Sequence, residues 1–312
     1  MERPDWRVFQ PGLFCASSEI KKTSCLGELV FIMPIILSYI QTRPLLEARK
    51  QGASVVETSP DLGKSLCQAT LNADGVYFPG GECVSWADLE KISQSEVNCY
   101  LLNEQGIEAI QTFSEATNRV CSLLPTRGAP SMLLAGFVMH RIKDIDPWQH
   151  AQGMLAPLAP LKGAILDTAT GLGYTAILAA RTAESVTTIE LDPAVQEIAR
   201  LNPWSQELFS NPNITQVMGD AADVVSTFAD GSFNRILHDP PTFKLAGQLY
   251  SGAFYRELYR VLKRGGRLFH YIGDPEGKTG GSITRGVMRR LHEAGFSRVM
   301  RRVEAHGVVA YK

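Results

Sequence analysis

The 312-residue chain predicts an α/β fold: a seven-stranded, mainly parallel sheet closing on a C-terminal antiparallel hairpin, preceded by a small β-rich domain. Three observations carry this. Residues Gly163 to Asp192, GAILDTATGLGYTAILAARTAESVTTIELD, read as strand, glycine turn, Ala-rich helix and strand, a right-handed crossover between parallel strands. The same alternation continues, with strands at 164–167, 186–190, 214–218, 234–238, 267–273 and 297–305, separated by helices at 174–182, 193–201, 221–228, 251–263 and 282–294. A last strand, 307–311, follows without a helix and meets its predecessor at His306-Gly307, a hairpin signal.

Composition is that of a globular protein, 45% hydrophobic and 20% charged, with a net charge of −1 that excludes a strongly basic nucleic-acid binder overall. The charge is unevenly placed: residues 243–312 hold 14 Lys+Arg against 5 Asp+Glu, and the remainder 17 against 27. Such asymmetry permits a local anionic partner. Cys15, Cys25, Cys67, Cys83, Cys99 and Cys121 form no CxxC pair, so no metal site or disulfide framework is expected and the setting is expected to be reducing and cytoplasmic. The longest apolar run, Leu29 to Ile40, is too short to span a bilayer and contains Pro34, and Glu28 before it argues against a signal peptide; no membrane association is expected.

In chain order, residues 1–44 read as a poorly organised segment broken by Pro4, Pro11, Pro34 and Pro44, with a buried strand at Val30–Met33 as an option. Residues 45–125 read as the small β-rich domain. Its β-prone runs at 54–58, 65–71, 75–78 and 98–102 are separated by Gly-, Asn- and Asp-containing turns, and a short helix is capped by Ser85. Residues 126–162 are a connector expected to border the pocket. It carries His140 and Arg141, low-ranked substrate candidates, and His150, which with His140 reads first as a satisfied structural histidine. Residues 163–312 form the main domain, whose long helix is expected to close at Gly265-Gly266.

The candidate site lies at the strand ends of that domain. Gly171-x-Gly173-x-x-Ala176 satisfies the dinucleotide fingerprint. Asp167, four residues before Gly171, would repel a pyrophosphate and suits a ligand carrying an amino group. Glu190 ends the second strand, where an acid accepts from a ribose diol. Asp220-Ala221 follows the third, where a carboxylate can accept an exocyclic amine or cap a helix. The fourth ends in His238-Asp239-Pro240-Pro241-Thr242-Phe243, whose prolines lack N–H donors and leave carbonyls and the Asp239 side chain as acceptors for an amine nucleophile. Tyr250, near this loop, is a substrate-side candidate, and Tyr255 and Tyr259 read as core.

Asp167-Thr168-Ala169-Thr170-Gly171-Leu172-Gly173 with Glu190 resembles motifs I and II of class I S-adenosylmethionine (SAM)-dependent methyltransferases, with Ala169 in place of the usual first glycine. Asp239-Pro240-Pro241 resembles motif IV of the amino-group methyltransferases, its aromatic, Phe243, one residue late. The closer resemblance is to the predicted archaeal-type methyltransferases labelled spermine-synthase-like. It implies a Rossmann-like seven-stranded sheet and SAM bound by Asp167, Ala169, Gly171, Gly173, Glu190, Asp220 and Ala221, with Asp239, Pro240 and Phe243 at the reacting amine. The label also leaves open aminopropyl transfer, although the glycine turn and Asp-Pro-Pro differ from the motifs of those enzymes. An NAD-dependent oxidoreductase and a non-catalytic SAM-binding module are the remaining alternatives; Asp167 and the antiparallel last strand argue against the first and Asp239-Pro240-Pro241 against the second. The acceptor (RNA, protein or small amine) and the oligomeric state stay open at this level.

Overall fold

The computed structural model describes residues 21–23, 29–31, 34–243, 245–273 and 280–312. Most of the segment 1–33, and with it Cys15, Cys25 and Met33, lies outside the described residues, as do residues 274–279.

The N-terminal half is assembled from short antiparallel ladders. Strands β1 (Lys21–Thr23) and β2 (Leu29–Phe31) pair with each other. β3 (Ile36–Leu37) leads into helix α1 (Tyr39–Lys50), which opens with Ser38 and Gln41 in a reciprocal capping box. The boundary expected at 44/45 therefore falls inside a helix: Pro44 lies in α1. β4 (Val55–Thr58), β5 (Cys67–Leu71), β6 (Gly75–Tyr77) and β7 (Cys83–Ser85) form a meander closed by α2 (Trp86–Ser93). Ser85 caps α2, its Oγ accepting from Asp88 N–H at 3.1 Å. β8 (Tyr100–Asn103) and β9 (Gly106–Ala109) add to β3.

β10 (Gln111–Ser114), β11 (Arg119–Leu124), β12 (Ser131–Leu134) and β13 (Phe137–Val138) make a four-stranded antiparallel sheet. A break at 125/126 would separate β11 from its partner β12, since Leu123 faces Met132 and Cys121 faces Leu134. The first part of the expected connector is thus sheet. Its remainder is α3 (Pro147–Leu155), capped by Asp146, whose carboxylate accepts from Trp148 and Gln149 N–H.

From 163 onward the alternation produces β14 (Ala164–Asp167), α4 (Tyr174–Ala180), β15 (Ser185–Glu190), α5 (Pro193–Leu201), α6 (Gln206–Ser210), β16 (Ile214–Met218) and α7 (Ala221–Thr227). β17 (Phe233–His238), α8 (Gly252–Val261), β18 (Leu262–Tyr271), α9 (Gly280–Glu293), β19 (Arg298–Arg302) and β20 (Gly307–Tyr311) complete it. The sheet order is β16-β15-β14-β17-β18-β20-β19, with β20 antiparallel to both of its neighbours. The order reverses between β14 and β17, the switch point where open α/β sheets bind ligands.

One local expectation fails here. Gly265-Gly266 do not end the long helix: α8 stops at Val261, and both glycines belong to β18. Gly265, at φ +74°, donates its N–H to the Lys312 carbonyl, which continues the sheet past an irregularity in the β17–β18 register.

Three cores result. One fills the N-terminal meander around Val76, Trp86 and Leu89. A second covers one face of the seven-stranded sheet under α8 and α9. The third is shared: Cys121, Leu123 and Met132 of the β10–β13 sheet pack with Met154 of α3 and Tyr174 and Ile177 of α4. Burying apolar surface across both halves clamps them together at about 25 cal/mol per Å² removed from water.

Candidate active site

A cavity of about 370 Å³ lies between the C-terminal edge of the seven-stranded sheet and the β10–β13 sheet. Its floor is the strand-end set. Thr168, Ala169, Thr170 and Gly171 come from the turn after β14, Glu190 to Asp192 from the end of β15, Gly219 to Ala221 from the end of β16, and Asp239 to Pro241 from the end of β17. Its roof and walls are Thr117, Arg119, Met132, Leu134, Met139 and His140 from the antiparallel sheet and the turns flanking its strands, with Ala151 and Met154 of α3. Pro241, Leu245, Ala246, Gln248 and Leu249 close the side beyond β17.

The turn is held by its neighbours. Gly171 takes φ +52° with open space where a Cβ would stand. Its N–H donates to Glu190 Oε2 at 2.9 Å, and Asp192 N–H donates to Glu190 Oε1 at 3.0 Å, so the strand-end acid ties the turn to the start of α5. Burial is the main cause that pushes the Glu190 carboxyl up to about 7, against the lowering effect of these N–H bonds. Asp220 caps α7, its Oδ1 accepting from Ala222 N–H at 2.8 Å, while also lining the cavity.

Asp167 is placed differently from the expectation. It is buried beneath the turn and is absent from the cavity wall. Its Oδ2 accepts from Thr175 Oγ1 at 2.8 Å and Thr188 Oγ1 at 3.3 Å, and burial raises its carboxyl to about 6. Direct contact with a ligand amino group is therefore not its geometry; it acts as an internal brace. Gly173 is also off the cavity. At φ +77° it caps α4, and a Cβ there would meet Leu208 Cδ2 at 2.6 Å, so the glycine serves helix packing.

Asp239 does line the cavity, half-buried at the mouth of β17. Burial, and secondarily the charge of Asp167, push its carboxyl up to about 7. Behind it, His238 joins the two loops of the floor. Its Nε2 lies 3.0 Å from the Leu249 carbonyl, which can only accept, so Nε2 carries the hydrogen and Nδ1 accepts from Thr168 Oγ1 at 2.7 Å. His270 is used in the same way, between the His238 carbonyl and the Tyr255 hydroxyl. Burial lowers both rings, His238 to about 3. Neither lines the cavity; they are neutral braces.

Three further candidates move away from the site. Phe243 is 50% exposed and stands edge-on to Tyr250, outside the cavity wall. Tyr250 is buried and off the wall, its hydroxyl donating to the Pro241 carbonyl at 3.2 Å, so it props the Asp-Pro-Pro loop from behind. Arg141 is exposed and donates to His306 Nε2 at 2.6 Å. His140, by contrast, lines the cavity. Ser131 Oγ accepts from the His140 backbone N–H at 3.3 Å and lies 3.0 Å from Nδ1, while Nε2 has no hydrogen-bond partner among the described residues. Burial, then His150, lowers its pKa to about 3. His150 is not the satisfied histidine expected: it is 6% exposed and neither ring nitrogen has a hydrogen-bond partner among the described residues, its ring lying edge-on to Tyr271.

The donor set fits SAM. The floor offers the carboxylates Glu190, Asp192, Asp220 and Asp239, with Ile189, Leu191 and Val195 as apolar flanks. A ribose diol, an exocyclic amine and an ammonium are all donors, matched by such acceptors. A pyrophosphate would meet four acids and one lining arginine, which counts against a dinucleotide. Among the described residues no group of His, Cys, Asp and Glu could hold a metal ion, and no helix is long and apolar enough to cross a membrane.

Comparison with known proteins agrees with this geometry. The profile of the methyltransferase domain matches residues 166–270. An uncharacterized protein of Methanocaldococcus jannaschii is 39% identical over 286 residues, 89% of this chain and 96% of that one. A polyamine aminopropyltransferase of Aeropyrum pernix is 30% identical over 133 residues, 39% of this chain and 42% of that one. Spermidine synthase of Thermotoga maritima superposes with a TM-score of 0.51 at 20% identity, covering 64% of this chain and 70% of that one, a likeness of fold.

Proposed function

This chain belongs to the spermine-synthase-like family of class I SAM-dependent methyltransferases, SAM is its cofactor, and on that premise we propose that it transfers a methyl group to an amine nitrogen held at Asp239. The observation that carries the reading is the placement of Asp239-Pro240-Pro241 in the wall of the same cavity as the Gly171 turn, Glu190 and Asp220. When bound, SAM supplies an electrophilic methyl carbon on a sulfonium. Glu190 and Asp220 accept from the diol and the exocyclic amine of its adenosine. Asp239 and the carbonyls beside the prolines accept hydrogens from the acceptor amine and aim its lone pair; alignment of this kind is worth several kcal/mol in a displacement. Met132, Leu134, Met139 and Met154 keep water from the reacting atoms, and His140 offers Nε2 as a hydrogen-bond partner to a second polar atom of the acceptor.

A small amine fits this roof better than RNA or a protein. The basic C-terminal portion is also less free for RNA than its charge suggests, because three of its ten arginines are engaged with other parts of the chain. Arg260 binds Glu257, Asp230 and the carbonyls of Val225, Ser226 and Phe228, Arg267 binds the Ala159 carbonyl and Arg290 the Tyr250 carbonyl.

A second reading, aminopropyl transfer, has one observation in its favour. Near the turn and β17 the cavity has Asp239 in its wall and Asp167 behind it, and the one cationic side chain among the described lining residues, Arg119, comes from the opposite sheet rather than from the strand ends. An aminopropyl group is that chain without its carboxylate. Purified protein is to be incubated with a cell extract and either methyl-labelled SAM or labelled decarboxylated SAM. Methyl label in the small-molecule fraction is expected. Label confined to RNA or protein would refute the small acceptor, and transfer only from the decarboxylated donor would establish the second reading.

A further inference from the structure

Among the described residues Arg119 is the one arginine of the cavity wall, and it comes from the opposite sheet. We propose that it closes the adenosine half of the cofactor site, its guanidinium lying against the adenine ring, so that the N-terminal strands bind cofactor as well as acceptor. The inference rests on the reading of the cavity as a SAM site.

Two independent paths place Arg119 at that half. The turn between β10 and β11 is pinned to the floor: Thr117 Oγ1 donates to Asp192 Oδ2 at 3.0 Å, and Asp192 N–H donates to Glu190 Oε1 at 3.0 Å. Arg119 lies two residues beyond Thr117. Along β11, Arg119 and Cys121 share a face, because side chains alternate along a strand. The Cys121 thiol is pushed up to about 11 by burial and then by the charges of Asp192 and Glu190, which puts that face of the strand opposite the strand-end acids. Arg119 is half-buried, lines the cavity together with Glu190, Leu191 and Asp220, and has no hydrogen bond, ion pair or ring contact among the described residues.

An uncommitted guanidinium in such a place has a chemical use. The acids of the floor supply acceptors to the edge of the nucleoside and leave its ring face to be covered. A guanidinium is planar, weakly hydrated and stacks on aromatic faces, worth most where water is excluded. Nothing in the run Arg119-Val120-Cys121-Ser122-Leu123-Leu124 announces this, since only the strand register aims Arg119 across the cavity.

The test is calorimetric titration of the full chain with S-adenosylhomocysteine and with 5′-methylthioadenosine, which lacks the amino-acid end. Arg119→Ala is expected to weaken both ligands by the same factor, about 5- to 30-fold, with the unliganded Tm held within about 2 °C because no partner is lost. Arg119→Met keeps the length of the side chain and serves if the alanine variant folds poorly; its loss is expected in the same sense. Unchanged affinity in both variants would overturn the proposal. A loss confined to S-adenosylhomocysteine would overturn it as well, by placing the guanidinium on the carboxylate. Failure of the unsubstituted protein to bind either ligand would instead refute the SAM reading, and the proposal with it.

Discussion

The floor and the roof of the cavity are built on opposite principles. The floor takes its residues from the ends of successive parallel strands, where the turns after β15, β16 and β17 deliver its acids: Glu190 and Asp192, Asp220, and Asp239. The roof takes its residues from antiparallel strands, where neither Arg119 nor Met132 nor His140 is marked by any local motif. Floor groups are fixed by backbone bonds, as Glu190 is by Gly171 and Asp192; roof groups are fixed by packing in the shared core, as Met132 is against Met154 and Tyr174. One cavity can thus be held together by two different means, backbone hydrogen bonding on one side and side-chain packing on the other.

The largest effect that would break this division is at Asp239. Asp239→Ala should lower methyl transfer by roughly 10²-fold or more and leave the Kd of S-adenosylhomocysteine within about threefold. Equal loss of binding and transfer, measured by titration and by labelled-methyl assay, would return Asp239 to the cofactor or the fold. Next comes Gly173. Gly173→Ala must place a Cβ at φ +77° and against Leu208, and should destabilise the fold by about 1–3 kcal/mol in thermal or urea unfolding. An unchanged midpoint would show that α4 relaxes freely.

The pH dependence sharpens the contrast, because the raised carboxyls belong to the floor. Asp239 must be ionised to accept from the amine, so transfer should rise through about pH 7 and fall about fivefold from pH 7 to 6. The same group acts oppositely on stability. Its folded pKa lies above its unfolded one, so its stabilising contribution is complete below about pH 4 and is lost as pH rises to about 7. Asp239→Asn should therefore raise the Tm of the unliganded protein at pH 8 more than at pH 4; the same shift at both pH values would contradict the assignment. The smallest effect is expected where roof meets floor at the surface: Thr112 Oγ1 donates to Glu197 at 3.1 Å in an exposed position, and Thr112→Val should cost at most about 0.5 kcal/mol.

Much of the floor is legible in the sequence, since a strand-end position followed by a glycine or proline turn leaves few directions for a side chain. Ala169, Gly171, Glu190, Asp220, Ala221, Asp239 and Pro240 stand in the cavity wall. Asp167 departs from its expected place for a physical reason: Thr175, in the first turn of α4, and Thr188, on the adjacent strand, offer hydroxyl donors that draw the carboxylate under the turn. Phe243 and Tyr250 show the cost of a one-residue offset, which turns the aromatic outward and leaves the tyrosine to prop Pro241 from behind. The roof is largely illegible. Placing Thr117, Arg119 or Leu134 requires the pairing of β10, β11 and β12, and antiparallel register is set by contacts distant in sequence.

That the roof precedes the floor along the chain has a consequence during synthesis. Thr117 to Met154 leave the ribosome before any of the strand ends they will cover, and the cavity is not complete until Leu249 has followed. At roughly 5–20 residues per second, the 95 residues from Met154 to Leu249 take about 5–20 s. For that interval Met132, Leu134, Met139 and Met154 can pack on one another and on their own sheet but face no completed floor. The nascent chain therefore carries an apolar face whose cover has yet to be translated, and the period of greatest exposure to aggregation and to holding chaperones is written into the order of the two halves.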